Sequence, residues 1–95
     1  MSGNARPTVQ VDNERVRVTE WRFAPEASTG WHRHEHDYVV VPMATGRLRI
    51  VTGQGETTAE LAAGQAYFRV ADAAHDVVNA NPHVFAFVEI EVKVQ

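Results

Sequence analysis

Ninety-five residues are enough for one domain and leave no room for a second. The absence of cysteine excludes disulfide support, thiol chemistry and Cys-type zinc sites. Nine Lys and Arg against twelve Asp and Glu give a net charge of −3 with no basic block, so nucleic acid is not an expected partner.

Residues 1–7 are predicted to be a flexible N-terminal arm, and residues 8–95 the single domain. Met1–Thr8 carry no apolar run of the signal-peptide kind, and no stretch approaches the roughly 20 apolar residues of a membrane helix. A cytoplasmic protein without a membrane partner is the expectation. Arg15–Thr19 alternates polar and apolar residues, the pattern of a strand with one buried face. Trp21 and Phe23 have the opposite parity to Val16 and Val18, which predicts a bulge near Thr19–Glu20 or burial on both faces. Arg47–Thr52 and Gln65–Val70 repeat the alternation. From Val84 the even row (Val84, Ala86, Val88, Ile90, Val92 and Val94) is unbroken and apolar, so it is read as inward. Parity then also places Leu48, Ile50, Ala66, Phe68, Val70 and Val77 inside, and leaves Phe85 and Phe87 exposed. Two adjacent exposed aromatics, with a thin core that a second copy would help cover, predict a homodimer. In that dimer Thr8–Val11 would extend the partner's sheet. Turn signals at a common spacing of about 8–12 residues favour an all-β sandwich or barrel over βαβ units. Glu60–Ala63 is too short to stand as a helix.

Three of the five histidines fall in Trp31-His32-Arg33-His34-Glu35-His36. Side chains two apart on a strand share a face at about 6.6–7 Å, so two such imidazoles can lean onto one ion with bonds of about 2.1 Å. His32 and His36, roughly 13 Å apart on a strand, cannot easily share one. The pair is therefore His32/His34 or His34/His36. The alternative is a polar strand surface that binds metal only adventitiously. A third ligand from another strand, His75, favours a built site. His83, next to Asn81-Pro82, reads as an exposed turn residue.

Gly64, His75 and Asn79 stand at the spacing of the second signature segment of the cupin superfamily: Gly, five residues, Pro-x-Gly, two residues, His, three residues, Asn. Val70 and Asp72 replace its Pro and Gly. The first segment runs Gly, five residues, His-x-His, three or four residues, Glu, six residues, Gly. Here Glu26 stands at the opening Gly, His32 and His34 match, Gly46 closes the segment, and Tyr38 or Val39 holds the place of the Glu. The chain thus resembles a small RmlC-like cupin over most of residues 25–79. The resemblance implies an all-β fold, a small antiparallel β-barrel of the double-stranded β-helix or jelly-roll type. It also implies a divalent transition metal on His32, His34 and His75, with His36 and Asn79 outside the ligand set as rim or supporting residues.

Three neutral ligands leave the ion's charge nearly whole and its coordination open, which suits a small-molecule ligand or substrate with an anionic end. Imidazole does not choose among Fe(II), Zn, Mn and Ni. Three-histidine cupins include longer Fe(II) dioxygenases that cleave β-diketones or oxidise thiols. That likeness implies a dioxygenase-like enzyme acting on an enolisable or carboxylate-bearing molecule. A non-redox isomerase or lyase, and a non-catalytic sensing domain, are the alternatives. Tyr38 shares the parity of His32 and His34 and is the candidate catalytic residue, as proton donor or ligand; an ordinary core tyrosine is the bland alternative.

Overall fold

The computed structural model describes residues 3–93. Over these residues the period-two pattern becomes nine strands: β1 (Arg6–Asp12), β2 (Val16–Phe23), β3 (His32–Arg33), β4 (Asp37–Pro42), β5 (Gly46–Thr52), β6 (Gly55–Leu61), β7 (Tyr67–Arg69), β8 (Ala74–Asn79) and β9 (Phe85–Val92). Every strand pairing is antiparallel. One sheet has the order β1-β2-β9-β4-β7 and the other β3-β8-β5-β6. Phe23, Tyr38, Val40, Phe85 and Phe87 from the first meet Leu48 and Val77 from the second in one core, the expected all-β jelly-roll architecture. No helix of the described residues is long and apolar enough to cross a membrane.

Strand β9 faces the opposite way from the parity reading. Phe85 and Phe87 are buried in the core, while the even row lies on the outer side of the five-stranded sheet. The odd row of β9 begins with two phenylalanines but continues with Glu89 and Glu91, whereas the even row is wholly aliphatic, so hydrophobicity alone points the strand the wrong way. Its partners decide: Phe23 lies opposite Phe85, and Trp21 opposite Phe87. β7 turns with it. Tyr67 and Arg69 point inward, whereas Phe68 (52% exposed) and Val70 (64%) face solvent, and Ala66 is exposed as well. Leu48, Ile50 and Val77 face inward as expected. The exposed-aromatic argument for a dimer therefore falls. The register instead carries Val11, Val18, Ile90, Val39 and Phe68 across all five strands in one outward row.

β2 pairs with β9 without a register shift, so Trp21 and Val18 lie on opposite faces of one regular strand. The irregularity falls in β1, between Val9 and Val11, opposite Thr19 and Val18. The segment expected to be a free arm is docked from residue 3. Ala5 is buried, its N–H donates to the Ser28 carbonyl, and the Ser28 N–H donates to the Gly3 carbonyl. Met1, Ser2 and Val94 lie outside the described residues.

The two positions where the cupin pattern has glycine and this chain does not, Glu26 and Asp72, both adopt left-handed backbone, with φ of 66° and 76°. The turns are kept although the residues differ. A Cβ there costs about 1–2 kcal/mol relative to glycine. At Glu26 the side chain returns only an exposed ion pair with Arg49, of the kind that contributes about 0–1 kcal/mol. Glu26→Gly is expected to stabilise the protein by about 0.5–1 kcal/mol, raising Tm by a few degrees in a thermal melt.

Gly46 is required for another reason. A Cβ there would lie 2.7 Å from Asn81 Oδ1, which accepts the Arg47 N–H and belongs to a buried asparagine network.

Candidate metal centre

β3 and β8 pair so that His32 lies directly opposite His75. Opposed residues of an antiparallel pair share a face. His34 follows after the two-residue strand ends, and backbone bonds carry it back toward β8. Its N–H donates to the Ala73 carbonyl, and its own carbonyl accepts the Asp72 N–H, which the left-handed turn presents. An ion pair between Arg33 and the Asp72 carboxylate braces the same corner.

His34 Nε2 lies 3.1 Å from His32 Nε2 and 3.2 Å from His75 Nε2. One ligand atom from each of the three residues falls within 4.8 Å of the others, so the trio could hold a metal ion. Edges of 3.1 and 3.2 Å are those of an ion with bonds of about 2.1 Å and angles of about 95–100°. The nitrogens do not satisfy one another without it. His32 Nδ1 contacts the Gly30 carbonyl at 2.9 Å, and a carbonyl only accepts, so that hydrogen sits on Nδ1 and the Nε2 lone pair is free. A neutral His34 has at most one hydrogen on Nε2 and can serve only one of its two contacts. A cation at their centre serves all three, and the donor set fits a divalent transition metal.

Thr29 supports the trio from behind. Its hydroxyl lies 3.2 Å from His32 Nδ1, donates to the Gly30 carbonyl and accepts the Val77 N–H. Such outer contacts fix the tautomer and orientation of a ligating imidazole. Burial pushes His34 down to about 4, with His32 and then His75 adding repulsion. Burial pushes His75 down to about 4 as well, with His32 adding and Asp76 opposing. Both are neutral at pH 7, the form that binds metal.

The three imidazoles line a cavity of about 180 Å³ that Trp21, Tyr38, Tyr67, Arg69, Phe87 and Glu89 also line. The Tyr38 ring stacks on His34 with centroids 3.9 Å apart, so it orients that imidazole. Burial, with Glu89 and Tyr67 adding and Arg69 opposing, raises its hydroxyl to about 12, and the phenol stays protonated. His36 lies in the bend before β4, half-buried, outside both the trio and the cavity lining. Asn79 is away from the cavity; its side chain ties the 23–24 backbone to the 81–83 turn. His83 is exposed, as expected.

The residue missed by the sequence reading is Glu89. It is buried, 3.9 Å from His34 Nε2 through Oε2, with Trp21 beside it on the cavity wall. Burial pushes it up to about 7, with Glu91 adding to the rise and Trp21 opposing it. The available signal was the acid that follows Phe85 and Phe87 on their row, once that row is known to face inward.

These shifts set a pH dependence for the metal-free protein. The depressed His34 and His75 contribute stability above about pH 6.5 that is lost as pH falls toward 4. The raised Glu89 contributes in the opposite sense, with stability present below its unfolded value of 4.5 and lost as pH rises through about 7. Between pH 6.5 and 4.5 the two histidines outweigh the one acid, and stability falls by about 1.4 kcal/mol per pH unit. Urea melts in the presence of a chelator should therefore peak near pH 6.5–7. In Glu89→Gln the acid-side slope should double and the alkaline decline should disappear.

No family model matches the chain. It is 60% identical over 95 residues to the beta-alanine degradation protein BauB of Pseudomonas aeruginosa, covering 98% of this chain and 100% of that protein. The crystal structure of a cupin domain from Bordetella pertussis Tohama I is similar at 53% identity with a TM-score of 0.97, covering 99% of this chain and 98% of the other. The polyketide cyclase RemF from Streptomyces resistomycificus shares the fold at 22% identity and a TM-score of 0.73, over 98% of this chain and 70% of its own. The corner that joins His34 to the turn before His75 is thus built within a known architecture: the chain is a cupin, and it belongs to the family of the beta-alanine degradation protein BauB.

Proposed function

We propose that the protein is a small metal-dependent enzyme acting on a short, enolisable, carboxylate-bearing molecule, with Fe(II) as the metal and oxygen-dependent cleavage as the reaction. The observation that carries this reading is the convergence of three imidazole nitrogens, with edges of 3.1 and 3.2 Å, on the wall of a small cavity. When bound, the ion supplies an open, electron-poor position for an anionic oxygen and for oxygen itself. The cavity, about 180 Å³, is small and mostly apolar in lining, which suits a small substrate.

The chain's own residues have assignable parts. Arg69 is the one cation among the lining residues; its guanidinium lies 4.5 Å over the Tyr67 ring, where it can hold a carboxylate. Tyr38 keeps its proton and orients His34. Phe87 and Leu48 exclude water from the inner wall. The relative's name, beta-alanine degradation protein, supports the substrate class: a 3-amino acid that hands its amino group to a 2-oxo acid by transamination becomes a 3-oxo acid, which is both enolisable and anionic.

A second reading, isomerase or lyase chemistry without oxygen, is favoured by one observation: a buried carboxyl and a protonated phenol both line the cavity. One experiment separates the two. Protein loaded with Fe(II) or Zn(II) is given short 3-oxo acids with and without oxygen. Oxygen uptake with Fe(II) alone supports the first reading, and anaerobic turnover with Zn(II) the second. Binding without turnover under every condition would overturn both in favour of a sensing domain.

We also infer a homodimer through the outward row Val11, Val18, Ile90, Val39 and Phe68, an apolar stripe that a second copy would cover. Sedimentation at micromolar concentration is expected to give a dimer, and Val39→Glu a monomer. A wild-type monomer would remove this inference.

A further inference from the structure

We propose that Glu89 is a fourth protein ligand of the metal centre, a carboxylate oxygen delivered from β9 to the ion held by His32, His34 and His75. The inference rests on the three-histidine reading and adds to it a residue outside both sequence segments that carry the histidines.

The position of Glu89 is fixed by the sheet. β9 lies between β2 and β4, and the register sets Glu89 opposite Thr19 on one side and Val40 on the other. The three form one inward row across the middle of the five-stranded sheet, facing the strands that carry His32 and His75. Thr19 and Val40 are both buried and neither is charged. Glu89 itself is 8% exposed. Among the described residues no Lys or Arg comes within ion-pair distance of it. The one ionic contact of its carboxylate is to His34 Nε2, at 3.9 Å from Oε2.

A carboxylate in such a place calls for positive charge, because burial of an unpaired anion is costly. A divalent ion among the three Nε2 atoms supplies it. The distance also suits one. Two donors bound to a single ion at about 2.1 Å stand about 3.0 Å apart when adjacent and about 4.2 Å when opposite. The two imidazole edges, 3.1 and 3.2 Å, lie near the first value, and the 3.9 Å from Glu89 lies between the two. The Glu89 oxygens stand farther than that from His32 and His75, so coordination requires the carboxylate to swing from its present position toward the centre of the trio. Trp21 faces the carboxylate and favours its charged form.

Chemically the addition changes the centre. Three imidazoles alone leave an ion of charge +2, whereas a carboxylate reduces it to +1 and shifts preference toward ions that favour oxygen donors.

The test uses Co(II) as probe on the full chain and on Glu89→Gln, which keeps the shape and an acceptor for Trp21. Affinity is read by competition with a chelator, and coordination by the visible absorption of Co(II). The proposal expects Glu89→Gln to bind Co(II) at least about 10–100-fold more weakly, with a changed spectrum. Affinity within threefold of the parent and an identical spectrum would overturn it. If Glu89→Gln fails to fold, the infrared carboxylate stretch of the parent on adding Zn(II) decides. A metal-induced shift supports the proposal, and an unchanged carboxylate region overturns it. Failure of the parent to take up Co(II) at all would instead defeat the three-histidine reading, and Glu89 as a ligand with it.

Discussion

Replacing His34 or His75 with alanine is expected to strip the protein of stoichiometric metal, to below about a tenth of an equivalent per chain. Each change leaves two imidazoles where three converge, and His34 is the nitrogen that contacts both others, at 3.1 and 3.2 Å. Its loss leaves only the cross-strand pair His32 and His75. Outer contacts alone commonly alter metal affinity by about 10–100-fold, and loss of a direct ligand exceeds that. His36→Ala is the control. It lies in the bend between β3 and β4, outside the trio, and should keep essentially all the metal. Elemental analysis of tag-free protein reads the result. A metal content in His34→Ala equal to the parent's, or its loss in His36→Ala alone, would contradict the site.

The largest expected effect on stability comes from Asn79→Ala, at about 3–5 kcal/mol. Asn79 is fully buried, and its side chain makes five hydrogen bonds. Of the two amide hydrogens, one goes to the His83 carbonyl and the other is shared between the carbonyls of Phe23 and Ala24, while the oxygen accepts the Asn81 N–H and its side-chain amide. Alanine leaves several of these groups buried and unpaired, at about 1–3 kcal/mol each. The damage spreads, because Asn81 in turn holds Arg47 at both its N–H and its carbonyl. A small domain has only about 5–15 kcal/mol of stability, so the variant should sit near its unfolding threshold at room temperature. A urea melt showing less than 1 kcal/mol of loss would mean that the network is dispensable.

The histidine trio was legible because its spacing depends little on the rest of the fold. His75 and Asn79 stand four apart on one face of β8, the first at the metal centre and the second at the 23–27 loop. Glu26 and Asp72 were anomalous in sequence, as non-glycines at glycine positions, yet their left-handed backbone shows that the register was read correctly. What failed was the orientation of β7 and β9. Parity reasoning assigns the more apolar row to the interior, but here the interior holds a cavity furnished with Arg69, Tyr67 and Glu89, and the purely aliphatic row of β9 lies outside. A polar cavity inverts the usual signal. Glu89 was hidden by the same error, since an acid on an outward row attracts no notice. Tyr38 was placed inward correctly, but its stacking on His34 is a tertiary contact that strand spacing cannot express.

The central claim is that imidazoles from β3, from the bend after it and from β8 hold one ion together. X-ray absorption at the metal edge, on tag-free protein reconstituted with one equivalent of Zn(II), tests it most directly. The expected spectrum has three imidazole nitrogens at about 2.0–2.1 Å around a single ion. A shell of oxygens with one imidazole or none, or no retained zinc, would contradict it.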